Sequence, residues 1–154
     1  MTSIMKIRKA TVADAAVVAE FNINLAWETE GLRLDPKVVK KGVAAILKNS
    51  AKGIYFVAEE PGAGVVGQLM ITYEWSDWNN ADYWWLQSVY VRKDFRGRGV
   101  FSALFEHLEK TARKSKRVCA LRLYLAKTNK RARQAYRKMG MKASPYEVMD
   151  LVIS

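Results

Sequence analysis

The sequence predicts an α/β (α+β) fold, with a mixed, mostly antiparallel central sheet that is flanked by helices. Three strand-like segments at residues 54–58, 65–75 and 83–91 follow one another closely, which is typical of an antiparallel meander. A helical pattern at 99–115 then leads to an apolar segment at 118–126, as in a parallel βαβ crossover. Half of the 154 residues are hydrophobic and 27% are charged, which is the balance of a globular chain.

The N-terminal part is predicted to form one strand and two helices. Residues 4–8 have the pattern of a short first strand. A helix follows over 13–27, because apolar residues recur there at helical spacing, and residues 28–34 break that spacing. Pro36 suits the first position of a second helix, which is predicted to end near Ser50.

The remaining elements complete the sheet. A turn at Pro61–Gly64 separates the first two strands of the meander, and a polar loop at 76–82 precedes the third. Residues 129–139 are predicted to form a short basic helix that Gly140 ends. Residues 144–153 are predicted to form a closing strand or hairpin. The order gives about six to seven strands and about four helices.

Composition limits the class of protein. Residues 1–154 are predicted to form a single domain, because the chain has no repeat, low-complexity tract or linker. No apolar run approaches the roughly 20 residues that span a bilayer, and the N-terminus lacks the apolar region of a signal peptide. We therefore expect a cytoplasmic protein with no membrane partner. The single cysteine, Cys119, excludes an internal disulfide and is predicted to be a buried, inert thiol.

Positive charge is concentrated in one part of the chain. Residues 92–142 hold 17 Lys and Arg against 3 Asp and Glu, a net charge of +14, whereas the first 91 residues have a net charge of −1. Such a segment would attract a polyanion, and nucleic acid is one partner of this kind. The alternative is that these helices have solvated basic faces.

A glycine turn opens the basic segment. The strand that ends at Val91 is followed by Arg96, Gly97, Arg98 and Gly99, and a helix starts next. The amides at such a helix start form an anion site. The turn is not a dinucleotide fingerprint, because Ser102 stands where a third glycine is required, and no Gly-Lys-Ser/Thr follows, which excludes a nucleotide P-loop.

Two segments resemble motifs of the GNAT superfamily of acyl-CoA N-acetyltransferases. Residues 96–101, Arg-Gly-Arg-Gly-Val-Phe, resemble motif A, which is Gln/Arg-x-x-Gly-x-Gly/Ala; Phe101 stands where Gly or Ala is usual. Residues 129–141 resemble motif B, Asn-x-x-Ala-x-x-x-Tyr-x-x-x-Gly-Phe, and depart only at Met141. With the element order, the resemblance extends over essentially the whole chain.

The resemblance implies acetyl-CoA as cosubstrate and no metal. It implies that the fourth and fifth strands splay apart, and that pantetheine pairs with the fourth strand in the gap. The implied cofactor-binding residues on the strand are Val89, Tyr90 and Val91. In the turn and the helix start they are Arg96, Gly97, Arg98, Gly99, Val100, Phe101 and Ser102. Asn129 and Tyr136 complete the implied set, and Asn129 also suits a helix N-cap.

The resemblance also implies catalytic residues. Tyr136 corresponds to the general acid that protonates the departing thiolate; the alternative is an aromatic packing residue. Gln87 occupies a position where many members have a carboxylate, so a direct base on the fourth strand is not expected. Glu28, Glu30 and Glu74 are the candidates for a base acting through water or for binding a cationic amine, or else they are ordinary surface residues.

The predicted function is transfer of an acetyl group from acetyl-CoA to a primary amine, by direct attack in a ternary complex. A small cationic amine is the slightly favoured acceptor. The alternative is a binding module of the same fold, which senses acyl-CoA without catalysis or associates with nucleic acid; we consider nucleic acid the less favoured partner. Five tryptophans are expected around the acceptor cleft, where they would bind an ammonium group or pack in the core and at a homodimer interface: Trp27, Trp75, Trp78, Trp84 and Trp85.

Overall fold

The computed structural model describes residues 4–154, which form two compact units. The first unit extends to Leu123, and the second is Tyr124–Ser154. The single domain across residues 1–154 stays a prediction. Within residues 4–154, no helix is both long and apolar enough to cross a bilayer.

The first unit is built on one five-stranded sheet. Neighbouring strands follow chain order, and all pairs are antiparallel except the last, which is parallel. The mixed, mostly antiparallel sheet is therefore confirmed. The strands are β1 (Lys6–Lys9), β2 (Ile54–Glu60), β3 (Gly64–Ser76), β4 (Ala81–Val91) and β5 (Val118–Leu123).

The described residues form four α-helices, as predicted. They are α1 (Ala15–Glu30), α2 (Pro36–Lys48), α3 (Val100–Ser115) and α4 (Lys130–Lys138), and α4 belongs to the second unit. The first helix runs three residues beyond its predicted end. Gly31 stops it in the left-handed conformation, at a φ of 63°, and its amide bonds to the carbonyl of Trp27. This extension brings Glu28 and Glu30 onto the last turn of α1.

The helices of the first unit cover both faces of the sheet. Side chains of α1 and α2, including Val18 and Val43, pack with Tyr55 and Val57 of β2. On the other face, the start of α3 approaches β3 so closely that a Cβ at Gly67 would lie 2.7 Å from Val100. Successive residues of a strand point to opposite faces, which places α1 and α3 on opposite sides of β3.

Two irregularities shape the end of β4. The pairing of β4 with β5 stops at Leu86 and Leu123, although β4 continues to Val91. Leu123 is the last residue of β5, so the end of β4 has no parallel partner in the first unit, and the splay of the two strands stays a prediction. The register between β3 and β4 shifts after Gln68, and opposite this shift Ser88 has a φ of 50°, which marks a β-bulge.

The second unit contains α4 and an irregular C-terminal segment. The expected strand or hairpin at 144–153 is wrong, because the described residues form no strand there. The sheet therefore has five strands rather than six to seven. An apolar pattern becomes a strand only with a backbone partner, and the apolar side chains of this segment are exposed instead: Tyr146, Val148, Met149, Leu151, Val152 and Ile153.

Cys119 corrects a second expectation. Its side chain is exposed rather than buried, and its Sγ donates to the carbonyl of Asp82 at 3.4 Å. The apolar residues around Cys119 predict a strand inside the core. In the described part of the chain, however, β5 is the last strand of the sheet and pairs on one side only. A strand at the edge of a sheet leaves side chains uncovered that a central strand would bury.

Candidate active site

The glycine turn between β4 and α3 has the backbone of an anion site. Gly97 and Gly99 have φ values of 75° and 81°, and a Cβ added to either would meet no atom within 4 Å. The first intrahelical bond of α3 runs from Ala103 to the carbonyl of Gly99. The amides of Val100 to Ser102 precede that bond and point out of the helix start. The turn therefore offers amides and open space together.

Arg96 joins this turn to the end of α1. Its Nη2 lies 3.0 Å from Glu28 Oε1, and its Nε donates to the carbonyl of Val91 at 2.8 Å. The guanidinium also lies over the ring of Tyr90, 5.3 Å from the centroid. Tyr90 donates its hydroxyl to Glu28 Oε2 at 2.6 Å, and Lys93 Nζ is 3.7 Å from Oε1. Glu28 is thus the centre of a small charged cluster.

Opposing influences set the pKa values in this cluster. Burial by itself would raise the pKa of Glu28, but hydrogen bonds from Tyr90 and Arg96 outweigh it and lower the pKa. Burial, together with the adjacent carboxylate, raises the pKa of Tyr90. At neutral pH Glu28 is therefore a carboxylate and Tyr90 a neutral phenol.

The other predicted residues of the turn lie at its surface or against α3. Arg98 and Ser102 are exposed, and the Arg98 guanidinium lies 4.9 Å from the centroid of Phe95. Phe101 is half-buried, with its ring 6.0 Å from that of Phe105 one helical turn later. The bulky residue at this position of motif A thus packs along α3.

The strand residues predicted to pair with a cofactor lie beyond the part of β4 that pairs with β5. Val89, Tyr90 and Val91 follow the last β4 residue that pairs with β5. Their backbone still pairs with β3 on the other side, through Gly67 and Gln68. The edge of β4 that faces away from β3 is the part of this strand that an extended ligand could pair with.

A cavity of about 680 Å³ lies between the first two helices and the sheet. Ser88, at the bulge, is the β4 residue in its wall. Most of the wall is apolar, and the apolar lining residues are Leu25, Ala26, Leu34, Val39, Val43, Ile46 and Met70. Among the described lining residues, Glu30 is the one carboxylate and Lys52 the one ammonium group. The volume is typical of a small-molecule site.

The inner wall of the cavity carries a buried polar network. Gln68 is fully buried and donates its Nε2 to Asn22 Oδ1 at 2.8 Å and to the carbonyl of Ser88 at 3.1 Å. Asn22 in turn donates its Nδ2 to the hydroxyl of Tyr55 at 2.8 Å. Burial raises the pKa of Tyr55, so this phenol is neutral at neutral pH. The network links α1, β2 and β3 to the bulge of β4.

Two further polar residues of the sheet form hydrogen bonds with neighbouring side chains. Gln87 donates to the Thr72 hydroxyl at 2.6 Å, and Thr72 lines the cavity. Glu74 accepts from the Trp85 indole and from Arg122, each at 3.0 Å. Glu74 is therefore part of a surface ion pair and is not among the cavity residues.

The tryptophans do not line this cavity, so their place around an acceptor cleft stays a prediction. None of the five is among the lining residues described. Trp78 and Trp75 are 89% and 65% exposed near the end of the β3–β4 hairpin, and Trp84 is buried.

The second unit holds the other two predicted site residues. Asn129 Oδ1 accepts from the amide of Ala132 at 3.1 Å, so Asn129 is the N-cap of α4. Burial raises the pKa of Tyr136 to about 12. The phenol of Tyr136 is accordingly protonated at any physiological pH. Contact of either residue with a cofactor stays a prediction.

The comparison with protein families decides the family. The model of the acetyltransferase (GNAT) family matches residues 22–141, which include both motifs and most of the chain. The chain belongs to the GNAT family. A comparison with curated proteins found no match. Within residues 4–154 no group of three or more His, Cys, Asp and Glu side chains is arranged to hold a metal.

Solved structures agree with the GNAT assignment. The chain is 40% identical to a possible acetyltransferase from Clostridium difficile 630, with a TM-score of 0.93 and coverage of 98% of this chain and 99% of that one. A probable acetyltransferase shares 20% identity at a TM-score of 0.86, covering 97% and 98% of the two chains. A predicted acetyltransferase from Clostridium acetobutylicum, solved with acetyl-CoA, shares 18% identity at 0.77, covering 97% and 96%. The last two show the fold alone.

Several residues of this GNAT site escaped the sequence interpretation. Gln68 interrupts an apolar strand, and Asn22 lies on the apolar side of a helix; a polar residue in such a place signals a buried hydrogen bond. Gly67 lets Val100 pack against the strand, and the sequence gives no sign of this contact because Val100 is distant along the chain. The link between Glu28 and Arg96 joins residues 68 positions apart in sequence, and no local pattern encodes it.

Proposed function

We propose that this GNAT protein transfers an acetyl group from acetyl-CoA to a primary amine by direct attack in a ternary complex. The observation that carries the proposal is the position of the β4 bulge. Ser88 lines the cavity, and the strand continues past it, free of β5, to Val91 and the glycine turn. A cofactor along the edge of β4 and an amine in the cavity would meet at this bulge.

The cofactor side fits a pyrophosphate and an extended pantetheine. The amides of Arg98 to Ser102 would bind the pyrophosphate, and Gly97 and Gly99 leave the space for it. Arg96 would add a charge-assisted contact. Backbone groups of Val89 to Val91 would pair with the pantetheine, and a backbone N–H of β4 would polarise the thioester carbonyl. Acetyl-CoA, when bound, supplies the activated acyl group.

The acceptor side is the cavity. Its aliphatic wall suits the carbon chain of a small amine, and Glu30 offers a carboxylate to an ammonium group. Glu30 is therefore our first candidate for holding the amine or for taking its proton through water. Glu28 is the second candidate, since its contacts with Arg96, Lys93 and Tyr90 occupy it. Gln87 has no charge and does not serve as a base.

Tyr136 is proposed to assist the departure of the thiolate. A pKa of about 12 keeps the phenol protonated, so it can donate a hydrogen bond to the leaving sulfur. This pKa is higher than the ~8.5 of an ordinary thiol. The phenol therefore stabilises the thiolate mainly as a donor, and full proton transfer is less favourable than from an unperturbed tyrosine.

A binding module is the second candidate function, and the basic segment favours it. The net charge of +14 over residues 92–142 would suit a polyanion such as nucleic acid, although a coenzyme A site explains part of it.

A homodimer and a cytoplasmic location are also proposed. Both proposals rest on the sequence.

The test is thiol release from acetyl-CoA with a panel of primary amines, diamines and polyamines. We expect release above the blank with some amines, and a raised KM for diamines in Glu30→Gln. Glu20→Gln is the matched control, because Glu20 is exposed on the same helix and outside the cavity. Tight acetyl-CoA binding without release would favour a sensor. Strong, salt-dependent binding of DNA or RNA would favour a nucleic-acid module.

A further inference from the structure

The hydrogen bonds on the inner wall of the cavity have a fixed direction. Gln68 Nε2 lies within reach of two carbonyl oxygens, those of the Asn22 side chain and the Ser88 backbone. The reversed amide would set Oε1 against both oxygens, so Nε2 must be the donor. Asn22 therefore uses its oxygen toward Gln68 and its nitrogen toward Tyr55, whose hydroxyl oxygen accepts.

The accepting phenol still has its own hydrogen. Ser88 carries a second hydroxyl on the wall of the same cavity. A hydrogen bond between the two hydroxyls would use one of their two hydrogens, so at least one O–H is left in either case. No further protein acceptor for that hydrogen is found within residues 4–154. Because Tyr55 and Ser88 both line the cavity, the pair offers one O–H donor to a ligand.

The surroundings restrict what accepts this hydrogen bond. Asn22, Gln68, Tyr55 and Ser88 are all uncharged, and Lys52, the ammonium group of the lining, is exposed. A carboxylate beside Tyr55 would lose its hydration without gaining a cation, which is costly. A neutral oxygen, such as a carbonyl, would take the hydrogen bond without that cost.

We propose that the Tyr55–Ser88 donor selects acceptors that carry a neutral carbonyl oxygen beside the reacting amine. The chemical class is an α-amino amide, as at the N-terminus of a peptide, with an aliphatic side chain for the apolar wall. The inference rests on the proposed function, because it takes the bulge at Ser88 to lie beside the reacting centre. Tyr55 is then a specificity-determining residue.

The test compares three acceptors that differ at one group. Leucinamide has a neutral carbonyl, leucine has a carboxylate, and 3-methylbutylamine has neither. The three amines differ in pKa, so kcat/KM is expressed on the concentration of unprotonated amine. On that scale we expect kcat/KM with acetyl-CoA to be at least about tenfold higher for leucinamide than for either of the others, as one hydrogen bond allows. The affinities of the three compounds for the protein without acetyl-CoA, measured by calorimetry, should follow the same order.

The variant Tyr55→Phe should remove this preference and leave activity with 3-methylbutylamine nearly unchanged. Tyr73→Phe is the matched control: it also removes one tyrosine hydroxyl, which donates to the Ser50 carbonyl at 3.0 Å, but Tyr73 lies outside the cavity lining. The control should keep the preference. If Tyr55→Phe fails to fold, as its melting curve would show, the comparison of acceptors on the unmodified protein decides.

The outcomes separate this inference from the proposed function. Thiol release at similar rates with all three acceptors would overturn the inference and leave the acetyltransferase intact. An equal loss of kcat for all three in Tyr55→Phe would also overturn it, because the donor would then serve the thioester carbonyl. No release with any amine, but calorimetric binding of leucinamide that depends on Tyr55, would sustain the inference and remove the proposed reaction.

Discussion

Arg96, which opens the glycine turn, forms an ion pair with Glu28 on the last turn of α1, with 3.0 Å between Nη2 and Oε1. Arg96 is predicted to face the pyrophosphate, and Glu28 lies on the helix that lines the proposed acceptor cavity. The two halves of the proposed site therefore share a charged pair.

Removing the Glu28 charge should strengthen cofactor binding. In Glu28→Gln, Arg96 and Lys93 lose the carboxylate that neutralises them, so their charge is available to an anion. We expect acetyl-CoA to bind about two- to fivefold more tightly by calorimetry, since an exposed ion pair contributes about 0.2–1 kcal/mol. Glu106→Gln is the control, because it makes the same charge change and removes an ion pair with Lys110 on α3.

Weaker binding in Glu28→Gln would contradict this picture and would mean that Glu28 positions Arg96 for the cofactor. The same variant also tests Glu28 as a base. An unchanged kcat at saturating substrates would remove Glu28 from that role and leave Glu30.

Gly99 is the position at which a charge should block the anion site. An aspartate there would place a negative charge beside the amides of the helix start, so acetyl-CoA binding should weaken at least about tenfold. Gly99→Asn is the matched control, because it imposes the same left-handed backbone strain at φ 81° without adding a charge. Binding would be measured by calorimetry. Equal affinity in Gly99→Asp and the unmodified protein would show that the pyrophosphate lies elsewhere.

Tyr136→Phe should lower turnover rather than affinity. Without the phenol, the leaving sulfur loses its donor, and we expect kcat to fall about 100-fold, at the lower end of acid catalysis. The KM for acetyl-CoA should change little. Thiol release under saturating conditions gives both constants, and an unchanged kcat would mean that Tyr136 is a packing residue.

The pH dependence gives an independent test of Tyr136. The raised pKa of about 12 means that the active, protonated form is lost only as the pH rises through that value. Any fall in kcat between about pH 8 and 10 should therefore come from another group, and it should be the same in Tyr136→Phe as in the unmodified protein. A fall in that range that disappears in the variant would show that the phenol titrates much lower when substrates are bound.

Asp14 should make the free energy of unfolding depend on pH in the acidic range. Hydrogen bonds from Arg8, at 2.8 and 3.0 Å, lower the pKa of Asp14, and its carboxylate also accepts from the amide of Thr11. Because the pKa of Asp14 is lower in the folded protein, its ionised carboxylate stabilises the fold. This contribution is complete at pH values above the unfolded-state pKa of about 3.9, and it is lost as the pH falls through the folded-state pKa.

Asp14→Asn should therefore reduce the free energy of unfolding by about 1–3 kcal/mol at pH 7. The difference from the unmodified protein should shrink below about pH 4, where Asp14 is protonated in both states of the unmodified chain. Urea denaturation at pH 7 and pH 3 measures both values. A constant difference at the two pH values would show that Asp14 acts as a cap and not through its charge.

The order of the elements up to α4, the parallel crossover and the glycine turn could all be predicted from the sequence. These features are local: residue spacing sets a helix or strand, and two glycines with positive φ set the turn. The family motifs are short for the same reason. The length of α1 was underestimated, because residues 28–30 lack an apolar pattern and only the stop at Gly31 fixes the end.

Tertiary structure alone decided which side chains meet. The pairing of Glu28 with Arg96, the chain of Gln68, Asn22 and Tyr55, and the exposure of Cys119 depend on strand register and on how α1 crosses the sheet. The missing C-terminal strand has the same cause, since residues 144–153 needed a backbone partner as well as an apolar pattern. Neighbouring residues encode a conformation, but contacts between distant residues exist only once the elements have packed.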